Sequence, residues 1–182
     1  MNVLLDTLGS SFIGGMVFLM LLNFNVFQDN ARQTSDSQLQ LQQNAKTLAE
    51  ILNHDLRKIG YETDSTAFVQ IDSEKIIFNA DMDRNGINDV VTYFVGDSTE
   101  VTSTTNPRDR VLYRVVNNDT ISGPALGLVK AKFSYLNSNF TPTTIISQIR
   151  YVKVELWVES PEPIDGEYYF TYWEMTINPR NI

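Results

Sequence analysis

The residues best suited to chemistry lie in an acidic segment at positions 81–92, DMDRNGINDVVT. Oxygen-bearing side chains alternate along it and precede a glycine, as in calcium loops with the pattern D-x-[DN]-x-[DN]-G. Gly86 would permit the sharp turn, and oxygen donors are the ligands that Ca²⁺ prefers. The candidate ligands are Asp81, Asp83, Asn85, Ile87 (through its carbonyl) and Asp89. The pattern predicts a structural Ca²⁺ site that binds weakly, as extracellular modules do.

The same segment also fits a β-hairpin that holds no ion. Thr92 stands at the twelfth position, where a calcium loop carries a bidentate glutamate. Aspartate, asparagine and glycine supply turn geometry between strands without any cation. The sequence leaves both interpretations open, and no other cofactor is expected.

Composition excludes several other chemistries. The 182 residues include no cysteine, which removes thiol catalysis, thiolate metal sites and disulfides. The only histidine is His54 on the helix, which we expect to face solvent or to pack on the sheet and not to be catalytic. The net charge of −8 argues against binding to nucleic acid or to anionic lipid. No nucleophile elbow, phosphate-binding glycine loop or metallohydrolase motif is present, so we do not expect an enzyme.

An uncharged apolar segment dominates the N-terminal region. The twenty-two residues 7–28 carry no charge between Asp6 and Asp29. At about 1.5 Å per residue, a helix of this length covers about 33 Å, close to the hydrocarbon thickness of a bilayer. The segment predicts a helix held in a membrane or in a bundle of copies. A cleaved secretory signal is the weaker alternative, because the run exceeds a signal's apolar core and lacks a small-residue cleavage site.

Periodicity predicts that this helix continues into a polar half, giving one helix over residues 3–59. Apolar residues there recur every three or four positions, forming one stripe that we expect to pack on a globular head. The stripe consists of Leu41, Ala45, Leu48, Leu52, Leu56 and Ile59. Gly60 is the expected C-cap.

From residue 67 the period becomes two, which predicts strands. We place them at 67–71, 74–80, 88–96, 110–116, 125–136, 146–158 and 166–177, with residues 97–109 as a flexible loop. In YVKVELWV the core face carries Val152, Val154, Leu156 and Val158. In the last strand, Tyr169, Trp173 and Met175 share one face, and Phe170 and Tyr172 the other. The expected fold is α+β, a long helix packed on an antiparallel sheet. The divisions are residues 1–29 (apolar helix), 30–60 (amphipathic half) and 61–182 (β-rich head).

Residues 38–62, QLQLQQNAKTLAEILNHDLRKIGYE, resemble the end of the long helix in type IV pilins and pseudopilins, particularly PilW-like and PulJ-like minor subunits. Those proteins share a D-[LI]-R-x-x-G-[YF] motif, which here starts at Asp55. An Asp/Asn/Gly-rich hairpin before a D-x-x-x-Y strand (Asp89 to Tyr93) and the terminal Pro179-Arg180-Asn181-Ile182 agree with that group. Residues 2–6, NVLLD, resemble the mature start F-T-L-I-E, with aspartate in place of glutamate. Whether a leader peptide is removed is open, and the usual mid-helix proline is absent.

The resemblance implies a pilin-like structural subunit of an extracellular or envelope filament, held in the inner membrane before assembly. Its partners would be copies of itself and other pilins, with roles in adhesion or secretion. Asp6 would set the axial register by pairing with a neighbour's N-terminal amine, although it could instead cap the helix start or lie at the membrane surface. The packing residues of the bundle would be Phe12, Gly14, Gly15, Val17, Phe18, Leu21 and Leu22. The alternatives are a minor or priming pseudopilin of a secretion system and a membrane-anchored extracytoplasmic binding domain.

Overall fold

The computed structural model describes residues 3–124, 126–164 and 166–182. Two compact units comprise Met1–Ser37 and Gln38–Ile182. Helix α1, Val3–Leu56, begins in the first unit and ends in the second. It stops three residues before the predicted end, because the chain tightens there: the Lys58 amide donates to the Asp55 carbonyl at 2.9 Å, and the Tyr61 amide to the Lys58 carbonyl at 2.8 Å. Gly60 has the expected left-handed φ of 78°, but the prediction that it is the C-cap is wrong: α1 ends four residues earlier, and the Gly60 amide donates to the Asn79 carbonyl at 2.9 Å instead of to the helix.

In the first unit, every described residue, from Val3 to Ser37, is helical. Its uncharged residues 7–28 are all solvent-exposed. An apolar helix with no buried side chain cannot derive its stability from packing within this unit. It therefore offers a large apolar surface to some other partner.

The second unit is built around the amphipathic part of α1. All six predicted stripe residues are buried, none more than 2% exposed, and Ala49 joins them. The helical period in the sequence therefore identified the packed face correctly.

Eight antiparallel strands complete the second unit in two sheets. The strands are β1 Phe68–Ile71, β2 Lys75–Ala80, β3 Asp89–Val95, β4 Leu112–Val116, β5 Asp119–Ser122, β6 Leu128–Leu136, β7 Tyr151–Glu159 and β8 Phe170–Ile177. One sheet has the order β1-β2-β3-β4-β5 and the other β6-β7-β8. The α+β arrangement of a long helix on antiparallel sheet is confirmed. The core face of β7 is also as predicted, with all four residues fully buried.

The predicted strands differ most from the observed ones in four places. The last strand, predicted from residue 166, begins only at Phe170. Strand β5 was missed, because all four of its residues are exposed and no burial alternation marks it. Residues 146–148 form a 3-10 turn rather than the start of β7. The strand predicted from residue 125 begins only at Leu128, after Gly127 with its φ of 74°. Residue 125 itself lies outside the described residues.

The segment predicted as a flexible loop, 97–109, lacks strands but has fixed contacts. Residues 98–100 form a 3-10 turn whose start is capped by the Asp97 side chain. Further along, Asn106 is 2% exposed and its side-chain amide donates to Glu159 of β7 at 2.9 Å. This segment is therefore folded against the end of β7.

Candidate functional site

The apolar surface of α1, meaning the side chains of residues 7–28, is the most unusual surface of the protein. The five predicted packing residues that have side chains are well exposed: Phe12 71%, Val17 51%, Phe18 61%, Leu21 56% and Leu22 46%. At Gly14 and Gly15, an added Cβ would meet no atom within 4 Å. Contiguous apolar surface of this extent marks a place where a membrane or another protein chain binds.

The length and composition of this part of α1 are sufficient for a helix that crosses a membrane. On those criteria the segment could be a membrane anchor or a signal sequence. Either function is consistent with membrane association of the chain.

Asp6 lies in the first turn of α1, within this apolar region. Its side chain is exposed, and its backbone carbonyl accepts a hydrogen bond from the Ser10 hydroxyl at 2.7 Å. The predicted register partner is the N-terminal amine of another copy. Residues 1 and 2, and with them Asn2 of the pilin-like start, lie outside the described residues.

The acidic segment forms the connection between β2 and β3, and Asp81 organises it. Asp81 is completely buried, and its Oδ1 accepts hydrogen bonds from the amides of Arg84 (2.6 Å) and Asn85 (3.2 Å). Its Oδ2 accepts from the Gly86 amide at 2.8 Å. Burial opposes ionisation, but these backbone donors outweigh it and hold the pKa of Asp81 below its ordinary value. The hairpin interpretation thus accounts for the loop's shape.

Three of the five predicted calcium ligands lie together. Oxygens of Asp81, Asp83 and Asp89 all lie within 4.8 Å of one another. The Asn85 side-chain oxygen already accepts a hydrogen bond from the Ile87 amide at 2.7 Å, so it also takes part in folding the loop. The carboxylate set fits Ca²⁺, while its existing hydrogen bonds fold the loop without one.

If the loop binds calcium, Ca²⁺ should raise the thermal unfolding midpoint of the full chain in nonionic detergent. Binding at tenfold the dissociation constant contributes about 1.4 kcal/mol. Asp83→Ala should remove this effect, because it deletes a ligand oxygen at a position where the calcium-loop pattern accepts either aspartate or asparagine. Asp83 is exposed and its hydrogen bonds are local to Asn85, so the fold should tolerate the change. Asp119→Ala is the matched control for charge. An equal shift in wild type and Asp83→Ala, or no shift with Ca²⁺, would exclude the site.

Asp55 is a buried carboxylate in the helix-end motif whose role was not predicted. Its Oδ2 accepts from the Tyr93 hydroxyl at 2.7 Å and from Arg114 Nε at 2.6 Å, and its Oδ1 lies 2.9 Å from His54 Nδ1. Burial opposes ionisation, but these contacts outweigh it and lower the pKa of Asp55. The cluster joins α1 to β3 and β4. Of the two expected placements of His54, the structure has the solvent-facing one, with 69% of its side chain exposed.

Two further buried acids, Glu159 and Asp109, lie where residues 97–111 cover the end of β7. Glu159 is satisfied there by Asn106 and by Arg108, whose Nη2 is 2.9 Å from Glu159 Oε2. Asp109 is 1% exposed, and neither of its carboxylate oxygens has a hydrogen-bond partner among the described residues. Burial raises the pKa of Asp109; the nearby Thr104 hydroxyl offsets part of this, and the charge of Glu159 adds a smaller increase.

Asp109→Asn should therefore stabilise the protein at neutral pH by about 1–2 kcal/mol, because a buried ionised carboxylate costs more than a buried amide. A raised folded-state pKa gives stability that is complete below the unfolded-state pKa and is lost as pH rises through the folded-state pKa. The gain should thus disappear in acid. Unfolding midpoints across pH test this, with the exposed Asp119→Asn as control. A variant that is less stable than wild type at neutral pH would contradict it.

Comparisons with known proteins add no relative: no family model, no curated protein and no solved structure matches the chain. The class that fold and surface define is an α+β head on a helix with an exposed apolar half.

Proposed function

We propose that the chain is a structural subunit of a type IV pilus-like filament, extracellular or spanning the cell envelope. The observation that carries this proposal is the division of α1 into two parts. Residues 7–28 expose apolar side chains, whereas the stripe from Leu41 to Leu56 is buried in the core of the β-rich unit. A helix of this kind can place its apolar part in a bundle shared with other copies, while the part packed in the β-rich unit stays in water.

The energetics of the exposed part support bundling. Burying apolar surface gains about 25 cal/mol per Å², so a helix that leaves several phenylalanines and leucines in water gains substantially from any apolar cover. A bilayer supplies that cover before assembly, and helices of other copies supply it afterwards. The glycines at 14 and 15 have open space above them, which lets a neighbouring helix approach closely.

No catalytic activity is part of this proposal. Two other assignments use the same apolar helix. A minor or priming pseudopilin of a secretion system would need other pilins in order to assemble. A membrane-anchored extracytoplasmic binding domain would function as a monomer in the membrane, and its ligand site would lie in the β-rich unit.

The deciding experiment is electron microscopy of material sheared from cells that express the full-length chain. The filament proposal expects uniform thin filaments that contain this protein as their main component. Recovery of the chain only in the membrane fraction, without filaments, would contradict a main structural subunit. Proteins that co-purify from detergent would then distinguish the pseudopilin assignment from the anchored binding domain.

A further inference from the structure

A cavity of about 350 Å³ lies between the 97–111 segment and the outer face of the three-stranded sheet. Its chemically important lining residues are Arg108, Arg110, Lys130, Trp157, Glu159 and Phe170. They come from three strands and from the segment fixed by Asn106, so the cavity is built by tertiary structure rather than by one loop.

The cavity concentrates positive charge in an acidic protein. Three of the chain's fourteen basic residues line it, although the net charge is −8. Arg108 pairs with Glu159 at 2.9 Å. Within the described part of the chain, Arg110 and Lys130 take part in no ion pair. The Lys130 ammonium lies over the Trp157 ring, 4.9 Å from its centroid. These two cations are therefore available to an anion.

The nearby acids limit how much negative charge a ligand can carry. Glu159 forms part of the wall. Asp97, whose pKa is lowered by hydrogen bonds from Thr99 and less strongly by the charge of Arg110, lies close enough to feel that guanidinium. Both offset part of the positive charge, so a monoanion is favoured over a dianion such as phosphate. A planar guanidinium matches a carboxylate particularly well.

The remaining walls are aromatic. Phe170 is 71% exposed at the start of β8, and Trp157 stands on the adjacent strand β7. The exposed Phe170 ring and the half-buried Trp157 ring, which also contacts Tyr172 at 5.1 Å between centroids, lie beside cations. They suit a ligand that combines a charged group with a flat, largely apolar ring. Carboxylate and ring together define the ligand class more narrowly than charge alone does.

We propose that this cavity binds a ring-bearing monocarboxylate, such as a uronic acid residue of a saccharide or an aromatic acid. Arg110 and Lys130 hold the carboxylate, and Phe170 and Trp157 contact the ring. The site is independent of the filament proposal, because every residue in it belongs to the β-rich unit and none to the apolar surface of α1.

The two tryptophans provide a test with an internal control. Trp157 lines the cavity, whereas Trp173 packs against the hydrophobic core. The full chain, labelled with ¹⁵N-tryptophan in nonionic detergent, would be titrated with glucuronate, benzoate, glucose and phosphate. Assignment would use Trp173→Phe. We expect a saturable shift of the Trp157 indole signal with glucuronate or benzoate, and a smaller shift of Trp173. Whichever of glucuronate and benzoate has the lower dissociation constant shows whether the cavity is a saccharide site or an aromatic-acid site.

Two lysine variants test whether the carboxylate binds in this cavity. Lys130→Gln should weaken binding of the tighter carboxylate by about fivefold or more, as expected for loss of one charge contact in a partly desolvated site. Lys46→Gln removes the same charge from the exposed helix surface and should leave binding unchanged. The proposal is overturned if neither carboxylate gives a saturable shift. It is also overturned if glucose or phosphate binds as tightly as the better carboxylate, or if Lys130→Gln binds like wild type.

Discussion

Asp6→Asn is expected to reduce filament assembly at least tenfold while leaving the β-rich unit folded. A carboxylate inside an apolar bundle is costly unless a cation neutralises it. In the proposed filament, the N-terminal amine of a neighbouring copy is that cation, and the pair selects one axial position. The variant keeps the size of the side chain and removes only its charge, so the helix still has apolar cover but no longer a preferred register. Electron microscopy of sheared material would measure filament length and number.

Asp29→Asn is the matched control, because Asp29 is the next charge on the same helix and lies at the other end of the apolar run. It should assemble like wild type. Circular dichroism of both variants would verify an intact fold. Normal filaments from Asp6→Asn would show that Asp6 only caps the helix start, and defective filaments from both variants would show a general need for charge instead of register.

The second large effect is expected at Asp55. Asp55→Ala should lower the free energy of unfolding by about 2–4 kcal/mol, because it leaves the Arg114 guanidinium and the buried Tyr93 hydroxyl without their hydrogen-bond acceptor. Tyr93 is 1% exposed and the Arg114 side chain 25% exposed. Chemical denaturation of the full chain, followed by near-ultraviolet circular dichroism, would measure the loss.

Asp36→Ala, an exposed position of the same helix, is the control and should change stability by less than about 0.5 kcal/mol. Combining Asp55→Ala with Arg114→Met should cost less than the sum of the single changes, since the unpaired charge is then removed. Additive losses would contradict a coupled pair.

The depressed pKa of Asp55 also predicts a pH dependence. The stabilisation is present above the ordinary pKa of an aspartic acid and is lost as pH falls through the lower folded-state value. This trend is opposite to that expected for Asp109. Wild type should therefore lose stability in acid more steeply than Asp55→Ala.

The sequence predicts those parts of the fold where periodicity and burial coincide. The helix stripe and the core face of β7 were found because one face of each element is apolar throughout. Strand β5 was missed because solvent covers both of its faces, which leaves no alternation to detect.

Asp55 and Asp109 differ in how far the sequence alone could have predicted their burial. Asp55 follows the stripe residue Leu48 by seven positions, so helical geometry places it on the buried face, and an acid there requires a partner. That signal was available. Its partner Arg114 could not be chosen from the sequence, because the choice depends on how β4 pairs. Nothing local marks Asp109, which is buried only because its segment folds over β7.

In the proposed filament, many copies would lie side by side, and strand β5 affects whether their sheets could pair with one another. It forms the outer edge of the five-stranded sheet, and the unpaired amides of an edge strand can template pairing with another chain. Yet β5 has only four residues, all exposed, and begins with the charged Asp119. About two of these four residues direct their backbone N–H and C=O groups away from β4, where they have no strand partner. So short an edge, bearing a charge, resists sheet-to-sheet growth between neighbouring molecules. In the proposed filament, this edge of the five-stranded sheet would therefore not extend into a sheet shared with a neighbouring copy.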